Sequence, residues 1–298
     1  MNGREVISMT YGLALSGGSL RGAAHIGVLE VLREENLVPA LLAGTSAGSI
    51  VGSLYAAGMT PGAIGDIFRQ LAKSDRPPDA VIQPLTAGPV PATNARLPLP
   101  KGLLNADFIE KFVRKYIGRI TFEQLAKPLA VTAADLHTGE LVVFTAEKLI
   151  PPKPWPRRTV FVAGVPVAAA VRASSSIPGI FTPKVIGGRT LIDGGIVDNV
   201  PADILHCLGA KTVIAVDLGF GVYEEEPLTN ILDILLQTHD ISGQRIADLV
   251  TERYADLVVR PQTGSAGLLD FHKIPVFIEK GRQAAQANLA AIKSLVNL

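Results

Sequence analysis

The pentapeptide GTSAG at residues 44–48 sets a serine between two glycines, in the pattern G-x-S-x-G. This pattern is typical of a strand-to-helix elbow, which would expose the Ser46 hydroxyl at the N-terminus of a helix. Gly44 and Gly48 would let the backbone bend without side-chain clashes. The same pattern also suits a glycine-rich turn that only packs a helix on a sheet, so the chemistry requires partners for Ser46.

A second glycine-rich stretch, SGGSLRG at residues 16–22, precedes the first. Acyl transfer needs N–H donors for its oxyanion, and a glycine-rich turn that enters a helix presents backbone N–H groups outward. Gly17 and Gly18 are therefore candidate donors. A nucleotide-binding loop is the alternative, but the stretch lacks the Gly-Lys-Ser/Thr ending of a P-loop and the spacing of a dinucleotide fingerprint.

A serine nucleophile also needs a base. In the order typical of α/β-hydrolases, an acid and then a histidine follow the serine. Asp193 in LIDGG is a candidate acid, although it could equally be a turn residue before two glycines. The histidines that follow it are His206, His239 and His272. The elbow comes too early in the chain for that fold and no histidine has a motif around it, so we interpret all three as surface or core residues.

Two consecutive β-turn-α units must position these residues. YGLAL at residues 11–15 predicts a strand that stops at the first glycine stretch, and an amphipathic helix follows. LLAGTSAG repeats the plan, with a strand that ends near Ala43 and a helix from Ala47 to about Ala57. Repeated β-turn-α units are the usual material of a parallel sheet.

The uncharged run from Leu37 to Gly65 is long enough for a membrane span, and the spacing of its glycines resembles that of membrane helix pairs. Pro39, Thr45 and the serines within it suit hydrocarbon poorly. We therefore interpret the run as strand, turn and helix, and we predict no transmembrane segment.

Further along the chain, strands are predicted at 128–134 and 141–144, and a hairpin around Gly187 leads into LIDGG. KTVIAVDLG predicts a buried strand, and the tail from residue 277 predicts one final helix. Two proline-rich pieces, near 74–102 and 150–158, predict loop or flap insertions. We find no domain linker and predict a single domain over residues 1–298.

Composition limits the functional classes. Of 298 residues 48% are hydrophobic and 5% aromatic, which suits buried parallel strands covered by helices. The 28 basic and 27 acidic residues form no long run of one sign, so nucleic acid is excluded as a partner. The single Cys207 excludes an intrachain disulfide, and the N-terminus lacks a signal-type apolar stretch, so we expect a cytoplasmic protein.

SGGSLRG, GTSAG and LIDGG occur in that order, and with them the chain resembles the patatin-like phospholipases, especially the small bacterial members. RGAAHIGVLEVL, VTAADLHTGE and ASSSIPGIF extend the resemblance over most of residues 11–220. It implies an α/β fold, a three-layer α/β/α sandwich with a mostly parallel central sheet. It also implies a hydrolase that cleaves acyl esters of lipids or phospholipids through an acyl-enzyme, with no metal and no cofactor.

The resemblance assigns the catalytic roles to a Ser-Asp dyad that needs no histidine. Ser46 would be the nucleophile and Asp193 the base, with Gly194 and Gly195 leaving room beside the carboxylate. Burial of that carboxylate would raise its pKa and make it a better proton acceptor.

The resemblance also assigns the oxyanion hole, with the N–H groups of Gly17 and Gly18 as main donors. Ser19 stands where the family has a third glycine, so its N–H can contribute only if Ser19 tolerates glycine-like backbone angles. Arg21 would fix this loop or aid the binding of substrate charge.

The expected partner is a lipid or phospholipid, met by the protein at a membrane surface. Two alternatives stay open: a soluble short-chain esterase or thioesterase, and a weakly catalytic regulatory or interaction protein with the same fold.

Overall fold

The computed structural model describes residues 11–73, 102–156, 158–219, 231–264, 266–267 and 270–296, and only the backbone of 231–233. Within these residues the strands form one sheet: β1 (Gly12–Leu15), β2 (Leu41–Thr45), β3 (Leu129–Asp135), β4 (Leu141–Phe144), β5 (Thr159–Val162), β6 (Lys184–Ile186), β7 (Arg189–Asp193), β8 (Val213–Val216) and β9 (Leu257–Val259). The helices are α1 (Ala24–Glu34), α2 (Ala47–Ala56), α3 (Pro61–Leu71), α4 (Asp107–Ile117), α5 (Val167–Ser174), α6 (Ala202–Cys207), α7 (Ile231–Tyr254), α8 (Ile274–Ala287) and α9 (Leu289–Val296).

The sheet is mostly parallel, as predicted. Its strand order is β5-β4-β3-β2-β1-β8-β9, and the run from β3 through β2, β1 and β8 to β9 is parallel throughout. β4 runs antiparallel to β3, and β7 also pairs antiparallel with β3 while forming a hairpin with β6. The predicted hairpin into LIDGG is therefore confirmed.

One edge of β3 is shared by two strands. Its first half pairs with β2 as far as Thr45 opposite Thr132, and the next residue, Ala133, pairs with Asp193 of β7. Because β7 runs in the opposite direction to β2, the C-terminal ends of both strands meet at this point. The sheet therefore places Thr45 and Asp193 side by side, although they are far apart in the sequence.

Helices cover both faces of the sheet, which makes the predicted three-layer α/β/α sandwich. Leu13 and Leu15 lie in the larger core, which is covered by α1 to α5, α8 and α9. Ala14 points to the smaller core on the opposite face, which is covered by α6 and α7. A parallel sheet buried on both faces needs apolar residues at successive positions, and β1 and β2 meet that need.

The uncharged run is β2, an elbow and α2 followed by α3, so its interpretation as strand, turn and helix is confirmed. Among the described residues no helix has the length and apolarity to cross a bilayer. The predicted final helix is wrong in one respect, because it is divided into α8 and α9 at Asn288. The Asn288 side chain donates a hydrogen bond to the carbonyl of Ala284 at 2.8 Å and so caps α8.

Of the two predicted insertions, the structure describes mainly the second. Apart from Gly102, the segment near 74–102 lies outside the described residues. Residues 150–156 contain no helix or strand, and Trp155 anchors them by an edge-to-face contact with Phe161 at 5.5 Å between ring centroids. The Trp155 indole N–H donates to the carbonyl of Pro151 at 3.0 Å. The single-domain boundary over residues 1–298 stays a prediction.

Candidate active site

Ser46 occupies a sharp turn between β2 and α2. Its backbone angles are φ 50° and ψ −119°, a conformation that is strained for any residue with a Cβ. Such strain costs about 1–3 kcal/mol and persists only where the surroundings impose it. The residue is 6% exposed and directly precedes the first turn of α2. This is the geometry of a nucleophile elbow.

Two glycines make this elbow sterically feasible. A Cβ placed on Gly44 would lie 2.7 Å from the carbonyl carbon of Gly48, and a Cβ on Gly48 would lie 2.1 Å from the carbonyl oxygen of Leu15. Both distances are too short for a real Cβ. The first turn of α2 therefore lies directly against the end of β1, as well as against β2.

Asp193, at the C-terminal end of β7, is 3% exposed. Burial raises the pKa of its carboxyl, whereas hydrogen bonds from the Ser46 hydroxyl and the Gly195 N–H lower it. The Gly195 N–H lies 2.8 Å from Asp193 Oδ1. The nearby charge of His239 also lowers this pKa, and that of Asp240 raises it. A buried carboxylate with a raised pKa that lies beside a serine hydroxyl is suited to general base chemistry.

The first glycine-rich stretch lies beside this pair. A Cβ placed on Gly17 would lie 3.3 Å from Ser46 Cβ, so the loop passes directly next to the elbow. Gly18 and Ser19 both have positive φ, 156° and 52°, and a 3-10 helix begins at Ser19. Ser19 therefore adopts a backbone conformation that favours glycine.

The three candidate oxyanion donors are not equivalent. The Gly17 N–H donates to the carbonyl of Asn199 at 3.1 Å. The Gly18 and Ser19 N–H groups donate to no acceptor within the part of the chain that the structure describes. Gly18 and Ser19 are thus the two donors that remain available for a ligand atom.

Arg21 is buried and ties this loop to the chain that follows β8. Its Nη1 atom donates to the carbonyl oxygens of Leu218 and Gly219, at 3.2 and 3.0 Å. These contacts fix the loop relative to Leu218 and Gly219, and the role of Arg21 in substrate binding stays a prediction.

His25, on α1, supports the start of the same loop. The residue is fully buried, and its Nε2 atom lies 2.8 Å from the carbonyl oxygen of Ser16. Burial lowers the pKa of this imidazole to about 4. A neutral ring therefore donates from Nε2 at neutral pH.

Two further residues lie near the pair: Asn199, which belongs to no predicted motif, and His239, which the sequence predicts only as a surface or core residue. Asn199 lies between the two glycine-rich segments, since a Cβ on Gly17 or on Gly195 would lie 2.5 or 3.0 Å from its Oδ1 atom. His239 of α7 lies on the other side of Gly195, with its Cε1 atom 3.4 Å from that Cβ position. No motif around His239 indicates this position, because α7 joins the site only through tertiary packing.

A buried polar layer lies beneath the site. The Thr45 hydroxyl lies 2.6 Å from that of Thr132 and donates to the carbonyl of Asp198 at 2.9 Å. Burial raises the pKa of the Asp198 carboxyl well above its usual range, and the neighbouring Asp203 raises it further. The end of β2 is thereby hydrogen-bonded to the turn that follows Asp193.

Known proteins match the part of the chain that contains Ser46 and Asp193. A family model described as Patatin-like phospholipase matches residues 13–206. The uncharacterized NTE family protein Rv1063c of Mycobacterium tuberculosis is 36% identical over 69% of this chain and 48% of its own length. Patatin-like phospholipase domain-containing protein 6 of Mus musculus is 30% identical over 72% of this chain and 14% of its own length.

A third relative matches nearly the whole chain. The uncharacterized NTE family protein Rv2565 of Mycobacterium tuberculosis is 27% identical over 98% of this chain and 48% of its own length. The chain thus spans about half the length of the mycobacterial relatives it matches. Among solved structures, VipD from Legionella pneumophila superimposes with a TM-score of 0.50 at 16% identity, over 94% of this chain and 67% of that one. This last likeness supports the fold alone.

Proposed function

We propose that this chain, which belongs to the patatin-like phospholipase family, hydrolyses acyl esters of lipids or phospholipids with Ser46 as nucleophile and Asp193 as base. One observation carries the proposal. A serine in a strained elbow lies beside a buried aspartate whose pKa is raised by burial and lowered by the nearby serine hydroxyl. Membership of the family supports a lipid hydrolase, and the dyad is our inference from this proximity.

In the first step the Ser46 hydroxyl would attack the ester carbonyl while its proton passes to the Asp193 carboxylate. The raised pKa of Asp193 reduces the free-energy cost of that transfer at neutral pH. The Gly195 N–H would hold the carboxylate in place throughout.

The negative charge that develops on the carbonyl oxygen needs donors that are already aligned. We assign this role to the N–H groups of Gly18 and Ser19, which have no other acceptor in the described chain. The position of the serine at the N-terminus of α2 would add a favourable dipole. Gly17 would support the hole through its bond to Asn199.

Collapse of the tetrahedral intermediate would break the ester bond, and protonated Asp193 would give its proton to the leaving alcohol. Water would then attack the acyl-enzyme carbonyl while Asp193 accepts its proton, which forms a second tetrahedral intermediate. Collapse of this intermediate would release the fatty acid, and Asp193 would return the proton to the Ser46 oxygen. Ser46 thus acts first as nucleophile and then as leaving group, and Asp193 accepts a proton in each attack and donates it in each collapse.

The test uses p-nitrophenyl esters of increasing acyl length with wild type, Ser46→Ala and Asp193→Asn. We expect activity that rises with acyl length and is lost in both variants. Activity restricted to the shortest esters would favour the soluble esterase or thioesterase alternative.

If no ester is hydrolysed, a fluorophosphonate probe shows whether the protein lacks an active nucleophile or the esters are unsuitable substrates. Wild type should be labelled at Ser46, and Ser46→Ala should not be labelled while it melts at the wild-type temperature. Labelling at a different serine would contradict the assignment of the nucleophile. A folded wild type that takes no label would favour the regulatory or interaction protein.

A further inference from the structure

One short segment, residues 174–176 at the end of α5, hydrogen-bonds to the backbone of both proposed catalytic residues. The Ser174 hydroxyl oxygen accepts the Ser46 N–H at 2.8 Å. The Ser176 carbonyl accepts the Asp193 N–H at 3.0 Å. All four residues are buried. The segment therefore contacts the nucleophile and the base at the same time.

Arg172 fixes this segment from within the core, where it is only 1% exposed. Its Nη1 atom donates to the Ser176 hydroxyl at 2.6 Å, and that hydroxyl donates back to the Arg172 carbonyl at 2.9 Å. Its Nη2 atom donates to the Thr182 carbonyl at 2.9 Å, and its Nε lies 3.3 Å from Asp107 Oδ1. A buried guanidinium with this many partners has little freedom to move.

The elbow needs support of this kind. The Ser46 backbone is strained at φ 50°, and it relaxes unless the surrounding structure imposes that conformation. Ser174 supplies the one acceptor that the described residues offer to the Ser46 N–H. Removing the Ser174 oxygen would leave a buried N–H without a partner at a position already under strain.

We propose that Ser174 and Ser176, in the segment that Arg172 fixes, are positioning residues that align Ser46 with Asp193. This inference rests on the proposed Ser-Asp dyad. Ser174 acts through the backbone of Ser46 and Ser176 acts through the backbone of Asp193. Neither is assigned a contact with substrate. Loss of Ser174 should therefore slow the chemical step and leave substrate binding unchanged.

The neighbouring Ser175 provides a matched control. It is 4% exposed, and its hydroxyl has no hydrogen-bond partner in the described structure. Ser175→Ala removes the same oxygen from the same segment without breaking a bond. We therefore expect Ser175→Ala to keep wild-type kinetics.

The experiment measures kcat and KM on a p-nitrophenyl ester, the rate of fluorophosphonate labelling at Ser46, and the melting temperature. Ser174→Ala should lower kcat and the labelling rate by about 100-fold, the effect of a misplaced reacting group. Its KM should stay within about twofold of wild type. If Ser174→Ala does not fold, Ser174→Cys takes its place in the experiment. That substitution keeps a weaker hydrogen-bond acceptor at the position, so we expect this variant to fold and to lose less kcat than Ser174→Ala.

Several results would overturn the inference. Wild-type kcat in folded Ser174→Ala or Ser174→Cys would show that the hydroxyl does not position Ser46. An equal loss in Ser175→Ala would indicate a general packing effect, and a raised KM with unchanged kcat would indicate substrate contact. Failure of the wild type itself to label at Ser46 is a different outcome, because it removes the dyad on which the inference rests.

Discussion

Thr45 of β2 and Asp193 of β7 pair with consecutive residues of β3, Thr132 and Ala133. β2 and β7 reach this point from opposite directions, so Ser46, the residue after Thr45, lies beside the Asp193 carboxylate. Strand register therefore brings the two residues of the proposed dyad next to each other.

Replacing Asp193 by Asn should lower kcat about 100-fold to 10,000-fold, because the general base is lost. In wild type the base acts in its deprotonated form, so the rate should rise with pH through its pKa. Burial raises that pKa, and the midpoint should lie above 3.8, the ordinary value for aspartate. A pH–rate profile of both proteins checks this. An acid limb that persists unchanged in Asp193→Asn would show that another group titrates.

Gly48→Ala should impair both folding and catalysis, because the added Cβ would lie 2.1 Å from the Leu15 carbonyl oxygen. The clash would push α2 away from β1, at a cost of about 1–3 kcal/mol in unfolding free energy. Gly52→Ala, one turn later in the same helix, is the control. Its Cβ would meet only methyl groups of Leu15 and Leu129 at 3.5 Å. That variant should keep wild-type activity and gain up to about 1 kcal/mol. Equal effects of the two substitutions in urea unfolding and ester hydrolysis would contradict this account.

Ser19→Gly should hydrolyse esters at close to the wild-type rate. The proposed oxyanion donor is the backbone N–H, which this substitution keeps, and glycine adopts φ 52° without strain. We expect the unfolding free energy to change by less than about 1 kcal/mol. A large fall in kcat would instead identify the Ser19 hydroxyl as the donor.

Stability should depend on pH through His25. Its pKa falls from 6.5 unfolded to about 4 folded, so the unfolded state binds an extra proton between these values. The effect is absent above pH 6.5 and reaches about 3 kcal/mol of lost stability as the pH falls to 4. His25→Gln retains a donor at the Nε2 position and cannot titrate.

The measurement is the unfolding free energy of wild type minus that of His25→Gln, followed from neutral pH to pH 4. This difference should fall as the pH is lowered. Buried aspartates with raised pKa values, such as Asp193 and Asp198, contribute the opposite slope in both proteins and cancel. A difference that does not vary with pH would mean that His25 titrates normally.

Gly27→Ala should destabilise the fold, because α1 and α8 cross with their backbones in close approach. A Cβ on Gly27 would lie 1.9 Å from the Ile278 carbonyl oxygen. We expect a loss of about 3 kcal/mol in unfolding free energy. Gly62→Ala, with nothing within 4 Å of its Cβ, should instead gain about 0.5–1 kcal/mol. Wild-type stability of Gly27→Ala in denaturant unfolding would show that the crossing can widen freely.

Much of the site was predictable because it follows from local rules. GTSAG predicts the elbow, since glycines on both sides of a serine between a strand and a helix permit few other turns. The α/β alternation predicts the parallel sheet, and the predicted turn before LIDGG is the turn of the β6–β7 hairpin. The ordered motifs pointed to the family, and residues 13–206 match it.

Other features could not be predicted from local pattern. The engagement of the Gly17 N–H by Asn199 depends on how the turn after β7 folds back onto the loop after β1. α7 lies against Gly195 across the site, and its sequence carries no motif that indicates this contact. ASSSIPGIF belongs to the motifs that carry the resemblance. The hydrogen bonds that Ser174 accepts from the Ser46 N–H and that Ser176 accepts from the Asp193 N–H are visible only in the tertiary structure.

The sequence by itself determined the residue types and turns that chemistry of this kind needs: Ser46 in a glycine elbow, Asp193 before two glycines, and a glycine-rich loop. The tertiary structure decided which of these groups meet. It set Ser46 beside Asp193, committed the Gly17 N–H to Asn199 and gave those of Gly18 and Ser19 no acceptor among the described residues. The reason is physical: turns and helix starts depend on neighbouring residues, whereas strand register and helix docking depend on distant partners whose pairing local sequence does not encode.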